Sequence, residues 1–443
     1  MKDLIDSYPI QDEEFKWRKS CFVDELSEKV QIESCLMGWI HDFKIQNLLD
    51  RTQVLFLIFR DSTGLKEFQI TKPELVKKIA KLERESVIAI RTLGTKVNDL
   101  KIISQAKPVP VLPCLITDHS SIDLVINRAY ALRTERMKAI LKIQDSIFSS
   151  VRKFFEKEKF YEIRPPIIAP ATDPGIRGAK AGELDFYGKR YKLTTSMILY
   201  KQMAICSLER IYSLSPNIRL EDPATQETGR HLAEFYQIDV EQAFADYHDA
   251  MNLGEKLLIS IFKAVKRNRK EELNFLERNL IIPTRPFQKL TYKKVLEKLR
   301  EMKFGNLQDG QEIPWNAEKA LSELFDAPFW ITDYPYGSRG FYDRQNPENP
   351  SFLKDFDLMY PGGFGEAMSG SEREYLYEKV KRKMLEQGVP LVGYKWYFDM
   401  LQRGVPPSAG FGLGLERLTR YICGLEKIWE ATAFPKVPGI HSP

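Results

Sequence analysis

The sequence predicts an α+β protein in which a small N-terminal β-barrel precedes a larger domain, built as an antiparallel sheet flanked by helices. The chain has 443 residues, more than one hydrophobic core usually serves. Short strand-like segments fill residues 29–116, and long helical stripes alternate with strand-like segments further along. We therefore expect a barrel domain over residues 1–115, a linker over 116–135 and the larger domain over 136–443.

The N-terminal region consists of short stretches rich in β-branched and aromatic residues. The strand-like stretches are VQIESCLMGWIHDF, QVLFLIFRDSTGLKEFQIT and SVIAIRTLGTKV, and ITKPELVKKIAKLE between them has a helical pattern. Several short strands with one inserted helix predict a closed barrel of the OB type. The proline-rich segment KPVPVLPC, which begins at Lys107, predicts a stiff connection to the larger domain.

The larger domain begins with RTERMKAILKIQDSIFSSVRKFFEKEKFYEI, whose apolar residues form one stripe of a helix. The members of that stripe are Met137, Ile140, Leu141, Ile147, Phe148, Val151, Phe154 and Phe155. A strand EIRPPII follows directly, and a second amphipathic helix covers residues 248–267. The segments KLTTSMIL, RIYSLSP, FYQIDVE, PFWITDYP and KDFDLMYPG are strand-like, so that hairpins with inserted helices predict an antiparallel sheet backed by helices.

Composition excludes several classes of protein. The cysteines form no CxxC pair and lie far apart, so the sequence encodes neither a zinc cluster nor a disulfide framework. The N-terminal segment MKDLIDSYPIQDEEFKWRK has acidic residues where a signal peptide needs an apolar core, and no apolar stretch of about 18 residues is present. We expect a cytoplasmic protein without a membrane segment. The net charge of +5 permits a polyanionic partner without requiring one.

Residues 215–241, SPNIRLEDPATQETGRHLAEFYQIDVE, combine a hairpin-like pattern with an unusual density of charge. Its charged and titratable side chains include Arg219, Glu221, Arg230, His231 and Glu234. One interpretation is a solvated surface hairpin, because most surface charge does no chemistry. The other interpretation is a functional site.

A second unusual segment, PPSAGFGLGLERLTRYICG, lies near the C-terminus. Gly410, Gly412 and Gly414 alternate on a predicted strand that leads into a helix carrying Glu416 and Arg417. Alternating glycines clear one face of a strand, so that a flat or bulky ligand can press against the backbone. A glycine-rich turn before an amphipathic helix is the alternative. The spacing disfavours a Rossmann or Walker loop.

Together these segments resemble a known family. Arg-x-Glu, a loop, Arg-His-x-x-Glu-Phe and then Gly-x-Gly-x-Gly-x-Glu-Arg are similar to motifs two and three of class II aminoacyl-tRNA synthetases, and residues 137–168 resemble motif one, their dimerisation element. GWI, LIFRDSTG, YKQ, QIDVE, FDLMYPGGFGEAMSGSERE and ERLTRYICGL are similar to the aspartate/asparagine branch. The resemblance covers nearly the whole chain. It implies a class II synthetase catalytic domain behind the OB-type barrel.

The resemblance also implies roles for single side chains around ATP and Mg²⁺. The implied ATP contacts are Arg219, Glu221, Arg230, His231, Phe235, Glu366, Gly414 and Arg417. Arg219 and Arg417 would be catalytic, the first on the α-phosphate, where charge builds up in the transition state, and the second over adenine opposite Phe235. Asp357 and Glu366 match the family's Mg²⁺ carboxylates.

The amino-acid pocket is implied in the same way. Its residues would be Ser196, Lys201, Gln237, Asp239 and Arg373. Arg373 would grip the substrate side chain, and Asp239 suits an α-ammonium group. The sequence leaves open whether that side chain is the acid of aspartate or the amide of asparagine, because a few hydrogen bonds decide between them.

Three departures from the tRNA ligases of this branch concern the acceptor of the activated carboxylate. Ser196-Met197-Ile198 stands where the ligases usually have Ser-Pro-Gln, the loop over residues 222–229 is longer, and Glu67 replaces an anticodon-reading glutamine. Features such as LTTSMIL, LSPNIRLE and PSAGFGLGLERL look like the archaeal asparagine synthetase derived from this branch. That enzyme lacks an N-terminal barrel, whereas this chain has one.

Three hypotheses follow for the function. The first is ATP-dependent activation of aspartate or asparagine as an adenylate and transfer to tRNA, with Phe56 of the barrel either stacking on a base or filling the core. The second is a tRNA-independent amide ligase that joins aspartate to ammonia or another amine. The third is a non-catalytic paralogue that binds nucleotide or RNA. The resemblance further implies a homodimer formed through residues 137–168.

Overall fold

The computed structural model describes residues 17–26, 32–48, 53–174, 180–304, 307 and 309–443 of the protein. Residues 1–16, most of the acidic N-terminal segment, lie outside these ranges. The chain separates into an N-terminal unit, drawn from residues up to His119 with Ala129–Glu135, and a C-terminal unit of Ser120–Arg128 with Arg136–Pro443. Each unit has its own hydrophobic core. Within the described ranges no helix is both long and apolar enough to cross a bilayer.

The N-terminal unit is one antiparallel sheet. Its elements are β1 (Glu33–Asn47), β2 (Gln53–Arg60), β3 (Leu65–Ile70), α1 (Pro73–Ile79), β4 (Val87–Leu93) and β5 (Lys96–Ser104), with the strand order β3-β2-β1-β4-β5. Alternate residues of β2, Leu55, Leu57 and Phe59, are completely buried, as the two-residue period of a strand requires. The buried guanidinium of Arg60 donates two hydrogen bonds to Glu85, at 2.9 and 2.7 Å. The five strands and the inserted helix agree with the predicted pattern.

The C-terminal unit is built on an eight-stranded sheet. Its strands are β6 (Tyr161–Glu162), β10 (Arg210–Ile218), β11 (Glu234–Ala243), β12 (Gln288–Thr291), β13 (Phe329–Thr332), β14 (Asp355–Tyr360), β15 (Gly365–Glu372) and β16 (Ser408–Gly414). The order is β12-β13-β14-β15-β16-β11-β10-β6, antiparallel except for the two edge pairs, β12 with β13 and β10 with β6. A smaller sheet contains β7 (Ile168–Ala169), β8 (Glu183–Phe186) and β9 (Lys189–Leu193).

After β5 the chain contains helices of different lengths, several of which contact the large sheet. Along the chain they are α2 (Asp123–Ile126), α3 (Arg128–Ala131), α4 (Glu135–Lys157), α5 (Ile198–Leu208), α6 (Tyr247–Asn268), α7 (Lys270–Phe275), α8 (Tyr292–Glu301), α9 (Trp315–Ser322), α10 (Tyr377–Glu386), α11 (Lys395–Leu401) and α12 (Leu415–Cys423). Gly254 of α6 has no side chain, and a Cβ there would lie only 3.0 Å from the sulfur of Met368 on β15. This close approach seats α6 on one face of the sheet.

The structure corrects three details of the predicted elements. KLTTSMIL is not one strand, because β9 ends at Leu193 and α5 begins at Ile198. EIRPPII is divided between β6 and β7, because its two prolines have no N–H to continue a ladder. In α4, Leu141 and Phe148 of the predicted stripe are only half-buried, whereas Ile143, which the stripe omitted, is completely buried.

Candidate functional site

A cavity of about 480 Å³ opens on the face of the large sheet that α6 does not cover. Met368 packs beneath α6, and its strand neighbour Ser369 lines the cavity, since successive residues of a strand point to opposite faces. The predicted site residues that line it are Ser196, Lys201, Arg219, Glu221, Arg230, His231, Phe235, Gln237, Asp239, Glu366, Arg373, Gly414 and Arg417. Asp357 is the one predicted site residue that does not line this cavity.

The charged hairpin supplies one wall. β10 and β11 pair in antiparallel register, with Asn217 opposite Phe235. Arg219 follows the end of β10, and its main-chain N–H donates to Ala233 O at 2.8 Å, which continues the pairing beyond the strands. The guanidinium carbon of Arg219 lies 5.2 Å from the centre of the Phe235 ring, and its Nε donates to Thr195 O at 3.1 Å. The arginine is therefore held at the cavity wall and is not a solvated surface charge.

The loop between these strands carries a second arginine. Asp222 caps a short 3-10 turn over Pro223–Thr228, and Gly229 ends it with φ +66°, a left-handed conformation that favours glycine. Arg230 then points inward, where its guanidinium lies 3.9 Å from the centre of the Trp315 ring and 3.3 Å from Glu318 Oε2. Both partners belong to α9. A desolvated cation at this end of the cavity suits an anionic ligand group.

The glycine-rich strand β16 forms the floor. Gly412 lies opposite Asp239 in the register of β11 and β16, and a Cβ on Gly412 would come within 3.1 Å of Gln237 Nε2 and 3.3 Å of Asp239 Oδ1. The missing side chain thus leaves room for the polar groups of β11. Arg417 projects from the first turn of α12, where its Nη1 pairs with Glu366 Oε1 at 3.0 Å. The two distant segments of the chain therefore meet in one cavity.

Glu416 ties α12 to β11. Its carboxylate accepts hydrogen bonds from the main-chain N–H of Tyr236 at 3.1 and 3.2 Å. Burial raises the pKa of Glu416 to about 7, although the hydrogen bond from Tyr236 acts in the opposite direction.

A cluster of buried ionic groups closes the other end of the cavity. Lys201 Nζ lies 3.1 Å from Asp239 Oδ1 and also donates to two main-chain oxygens. Arg373 Nε donates to Glu241 Oε1 at 3.1 Å. Gln237 accepts from Asn217 Nδ2 at 3.0 Å, so the hairpin orients the amide of Gln237 as well. The amino-acid pocket implied by the resemblance is thus charged, and most N–H groups of Lys201 and Arg373 are directed at acceptors of the protein itself.

On one side of the cavity, Arg339 is surrounded by carboxylates. Its Nη2 lies 2.5 Å from Asp357 Oδ2, and its Nε lies 3.1 Å from Glu312 Oε1. Burial raises the pKa of Asp355 in this cluster to about 8. Within the described residues no group of three or more His, Cys, Asp or Glu side chains is arranged to hold a metal alone. A Mg²⁺ ion in this cavity would therefore need phosphate oxygens of a nucleotide among its ligands. The carboxylate of Glu366, on the cavity wall, would be a further ligand.

Several residues that line the cavity were absent from the predicted site. They are Glu312, Trp315, Glu318, Arg339, Tyr342, Asp343, Asp355 and Ser369. Glu241, buried beneath the cavity as the partner of Arg373, was also missed. The two-residue period of β11, which places Gln237, Asp239 and Glu241 on one face, is a signal that could have found Glu241. Most of the others come from segments with no matching motif.

An antiparallel sheet that brings a charged hairpin and a glycine-rich strand to one cavity defines a class II aminoacyl-tRNA synthetase catalytic domain. The model of the class II tRNA synthetases (D, K and N) matches residues 123–438, and the chain belongs to this family. The predicted fold class and the predicted family are both confirmed.

Relatives named as tRNA ligases align over nearly the whole chain. The asparagine–tRNA ligase of Pyrococcus furiosus is 31% identical over 91% of this chain and 94% of its own. The aspartate–tRNA(Asp/Asn) ligase of Methanopyrus kandleri is 32% identical over 93% of this chain and 96% of its own. The crystal structure of asparaginyl-tRNA synthetase from Pyrococcus horikoshii complexed with asparaginyl-adenylate superposes with a TM-score of 0.87 at 28% identity, covering 96% of this chain and 100% of the other.

Proposed function

We propose that the protein activates asparagine or aspartate with ATP as an aminoacyl-adenylate and transfers the aminoacyl group to tRNA. The observation that supports this most directly is that Arg219 and Arg417, about 200 residues apart in sequence, line the same cavity as the ionic cluster around Arg373. One cavity thus offers cations for a triphosphate beside a pocket for an amino acid. The names of the aligned relatives point to the same reaction.

The base of ATP lies between Phe235 and Arg417 in this proposal. Glu366 binds the edge of the Arg417 guanidinium, which fixes the plane of the cation and leaves its face for the aromatic base. Phe235, half-buried on the wall that the hairpin forms, supplies the second surface. Gly414, which adds no side chain at the end of β16, keeps the approach to the backbone open.

The reaction is an in-line displacement at the α-phosphorus. A carboxylate oxygen of the amino acid attacks that phosphorus, and the bond to the β-phosphate oxygen breaks to release pyrophosphate. Arg219 stabilises charge on the α-phosphate, while Arg230 and His231 contact the leaving group and Glu221 lies beside them on the cavity wall. Trp315 supports the Arg230 guanidinium from below at 3.9 Å. The protein accelerates the reaction by positioning the carboxylate against the α-phosphate and by neutralising phosphate charge, and no side chain acts as nucleophile.

Mg²⁺, when bound with ATP, neutralises phosphate charge and draws electron density from the leaving group. Glu366, which lines the cavity, would supply a carboxylate ligand to the ion. Asp357 was predicted as the second ligand, but one of its oxygens is held by Arg339 at 2.5 Å, and the other, Oδ1, is buried without a hydrogen-bond partner among the described residues. We propose that Glu366 contacts the metal and that Asp357 acts through Arg339.

The amino acid is held by the ionic cluster. Asp239, buried and oriented by Ser215 and Lys201, accepts the α-ammonium group. Gln237 and Ser196 line the same pocket and offer neutral hydrogen-bonding groups. Arg373 lies at the end where the substrate side chain would reach.

The acceptor is tRNA in the primary proposal, and the N-terminal unit supports it. Phe56 of β2 is half-buried and lies outside the hydrophobic core, with the exposed residues Lys44 and Gln69 as its cross-strand neighbours. An aromatic ring beside a cation on an open sheet face suits base stacking in a single-stranded loop. Glu67 is exposed on the same strand as Gln69 and adds an acidic group to that face.

A tRNA-independent amide ligase remains the second candidate because of one residue on the cavity wall. Ile198, at the start of α5, lines the cavity with an apolar side chain where the tRNA ligases of this branch usually have glutamine. Such a change could fit an acceptor other than the tRNA terminus.

Product analysis separates the candidates. The purified protein is incubated with ATP, Mg²⁺ and asparagine or aspartate, with and without tRNA or ammonium, and the products are identified by mass. The tRNA proposal predicts AMP, pyrophosphate and aminoacyl-tRNA in the complete mixture. Formation of free asparagine from aspartate and ammonium without tRNA would instead establish the second candidate, and no AMP under any condition would contradict both.

We also propose a homodimer formed through residues 137–168. Tyr161 and Ile167, two large side chains of this element, are 60% and 50% exposed and so are available for an interface. Ile167→Asp should shift the mass measured by light scattering after size exclusion from dimer to monomer. Val392→Asp, at a residue 90% exposed and outside this element, is the matched control and should leave the dimer intact. A monomeric wild-type protein would contradict the proposal.

A further inference from the structure

The end of the cavity that receives the substrate side chain contains more acid than base. Its cations are Lys201 and Arg373, its lining carboxylates are Asp239 and Asp343, and the carboxylate of Glu241 lies buried beneath them as the partner of Arg373. All five residues are at least nine-tenths buried. Buried charges interact strongly with one another and with any charge on a ligand, so this arrangement must influence which side chain the pocket accepts.

Lys201 has no hydrogen-bond donor left for the substrate. Its ammonium group has three N–H bonds. Within the described residues these are directed at Asp239 Oδ1 at 3.1 Å, Val240 O at 3.4 Å and Phe411 O at 3.2 Å. Lys201 therefore positions Asp239 and neutralises part of the cluster, and it does not grip the substrate side chain.

Arg373 keeps one donor available. Of its five N–H bonds, Nε and one on Nη2 are directed at Glu241, at 3.1 and 3.2 Å. The two on Nη1 are directed at Ser371 Oγ at 2.7 Å and at Asp343 Oδ1 at 3.4 Å. One N–H of Nη2 thus remains without a partner among the described residues. A single donor matches one oxygen of a ligand and not a bidentate carboxylate pair.

Asp343 keeps one acceptor available. Its Oδ1 accepts from Ser371 Oγ and from Arg373, whereas its Oδ2 accepts no hydrogen bond from any residue that the structure describes. Asp343 lines the cavity. Lys383 Nζ donates to the main-chain oxygen of Asp343 at 3.3 Å, which helps to hold this segment in place. The main-chain bridge between Asp343 and Arg373 fixes the two residues side by side.

From this we propose that Asp343 and Arg373 form a donor–acceptor pair that recognises a primary carboxamide, so that the pocket selects asparagine over aspartate. The remaining N–H of Arg373 donates to the amide oxygen, and Asp343 Oδ2 accepts from the amide NH₂. A carboxylate side chain has no proton for Asp343 at neutral pH and would bring a fourth negative charge beside two cations. The inference rests on the proposed activation reaction and names its substrate.

The first test uses the wild-type protein with three side chains of similar shape. These are asparagine, aspartate and 4-oxonorvaline, a methyl ketone that keeps the carbonyl oxygen and lacks the NH₂. The kcat/KM for ATP–pyrophosphate exchange should be at least about 100-fold higher for asparagine than for aspartate, because a site built to hydrogen-bond a ligand rejects analogues without the donor. The ketone should also be rejected, by at least about tenfold. Equal exchange with asparagine and the ketone, or better exchange with aspartate, would overturn the assignment.

The second test changes the acceptor. Asp343→Asn can turn its own NH₂ toward the ligand and removes one charge, so the ratio of kcat/KM for asparagine over aspartate should fall by at least about tenfold. Asp399→Asn, outside the cavity on α11 where Asp399 pairs with Lys395, is the matched control and should leave the ratio unchanged. An unchanged ratio in a folded Asp343→Asn protein would contradict the proposal.

Calorimetric binding of each amino acid without ATP separates this inference from the proposed function. Tighter binding of asparagine than of aspartate supports the pair Asp343 and Arg373 even if no exchange occurs, in which case the proposed reaction alone is wrong. If ATP–pyrophosphate exchange proceeds with aspartate in preference to asparagine, the proposed activation reaction is supported and the proposed recognition of a carboxamide by Asp343 is wrong.

Discussion

Replacing Arg417 by alanine should abolish most adenylate formation without unfolding the protein. The change removes a cationic face over the proposed adenine position, about 0.5–2 kcal/mol. It also removes the partner of Glu366, and a hydrogen bond to a charged group contributes about 1.5–3 kcal/mol. Together about 2–5 kcal/mol are lost from the transition state, which is a decrease of about 30- to 5000-fold in kcat/KM.

The assay is amino-acid-dependent exchange of labelled pyrophosphate into ATP. Arg417→Lys keeps the charge but loses the planar face, so it should retain part of the activity. Arg420→Ala is the matched control, because Arg420 lies on the same helix, donates to Glu426 O at 3.1 Å and does not line the cavity. Circular dichroism checks the fold of each variant. Arg417→Ala with the activity of Arg420→Ala would refute the assignment of Arg417 to the nucleotide.

Three further predictions concern the metal, pH and helix capping. Glu366→Gln should raise the Mg²⁺ concentration needed for half-maximal exchange, whereas Asp357→Asn should lower kcat with that requirement little changed; equal shifts in both would show that Asp357 is also a ligand. The folded pKa of Glu416 is raised to about 7, so the folded state binds its proton more tightly and stability is lost as pH rises from about 4.5 to 7. Glu416→Gln should accordingly gain free energy of unfolding relative to wild type, by about 1–3 kcal/mol, at pH 8 but not at pH 4 in urea titrations; an equal difference at both pH values would contradict this. Asp246→Ala removes the side chain that caps α6 at 2.9 Å and should lower the free energy of unfolding by about 1 kcal/mol, without changing KM for ATP.

The parts of the site that lie in contiguous motifs could be predicted from the sequence. The hairpin β10–β11 places Arg219, Phe235 and Asp239 by its own register, and the strand β16 leads directly to Arg417. A local pattern is sufficient there because the strand period decides which side chains share a face. Several of the charged side chains that are dense in the hairpin sequence line the cavity wall in the structure.

Other parts of the site could not be predicted because tertiary packing creates them. Trp315 and Glu318 reach Arg230 only because α9 packs against the cavity, and no motif marks that helix. Asp343 lies beside Arg373 only because a main-chain bridge joins two segments that are 30 residues apart in sequence. Asp357 shows the converse case, since a matching motif did not reveal that Arg339 occupies its carboxylate.

The same physical limits explain the corrected strands. In EIRPPII the apolar pattern favours a strand, but prolines cannot donate to a ladder, so the chain leaves the large sheet and enters the smaller one. In KLTTSMIL the last three residues are apolar, and such a short run does not distinguish a buried strand from the first turn of a helix.

The measurement that tests the central claim most directly is the transfer of label from pyrophosphate into ATP by the wild-type protein, with and without each amino acid. If the cavity clamps ATP beside the amino acid, label should enter ATP when asparagine is present and should not enter when amino acid is omitted. Absence of label with both asparagine and aspartate, from a folded protein supplied with Mg²⁺, would contradict it.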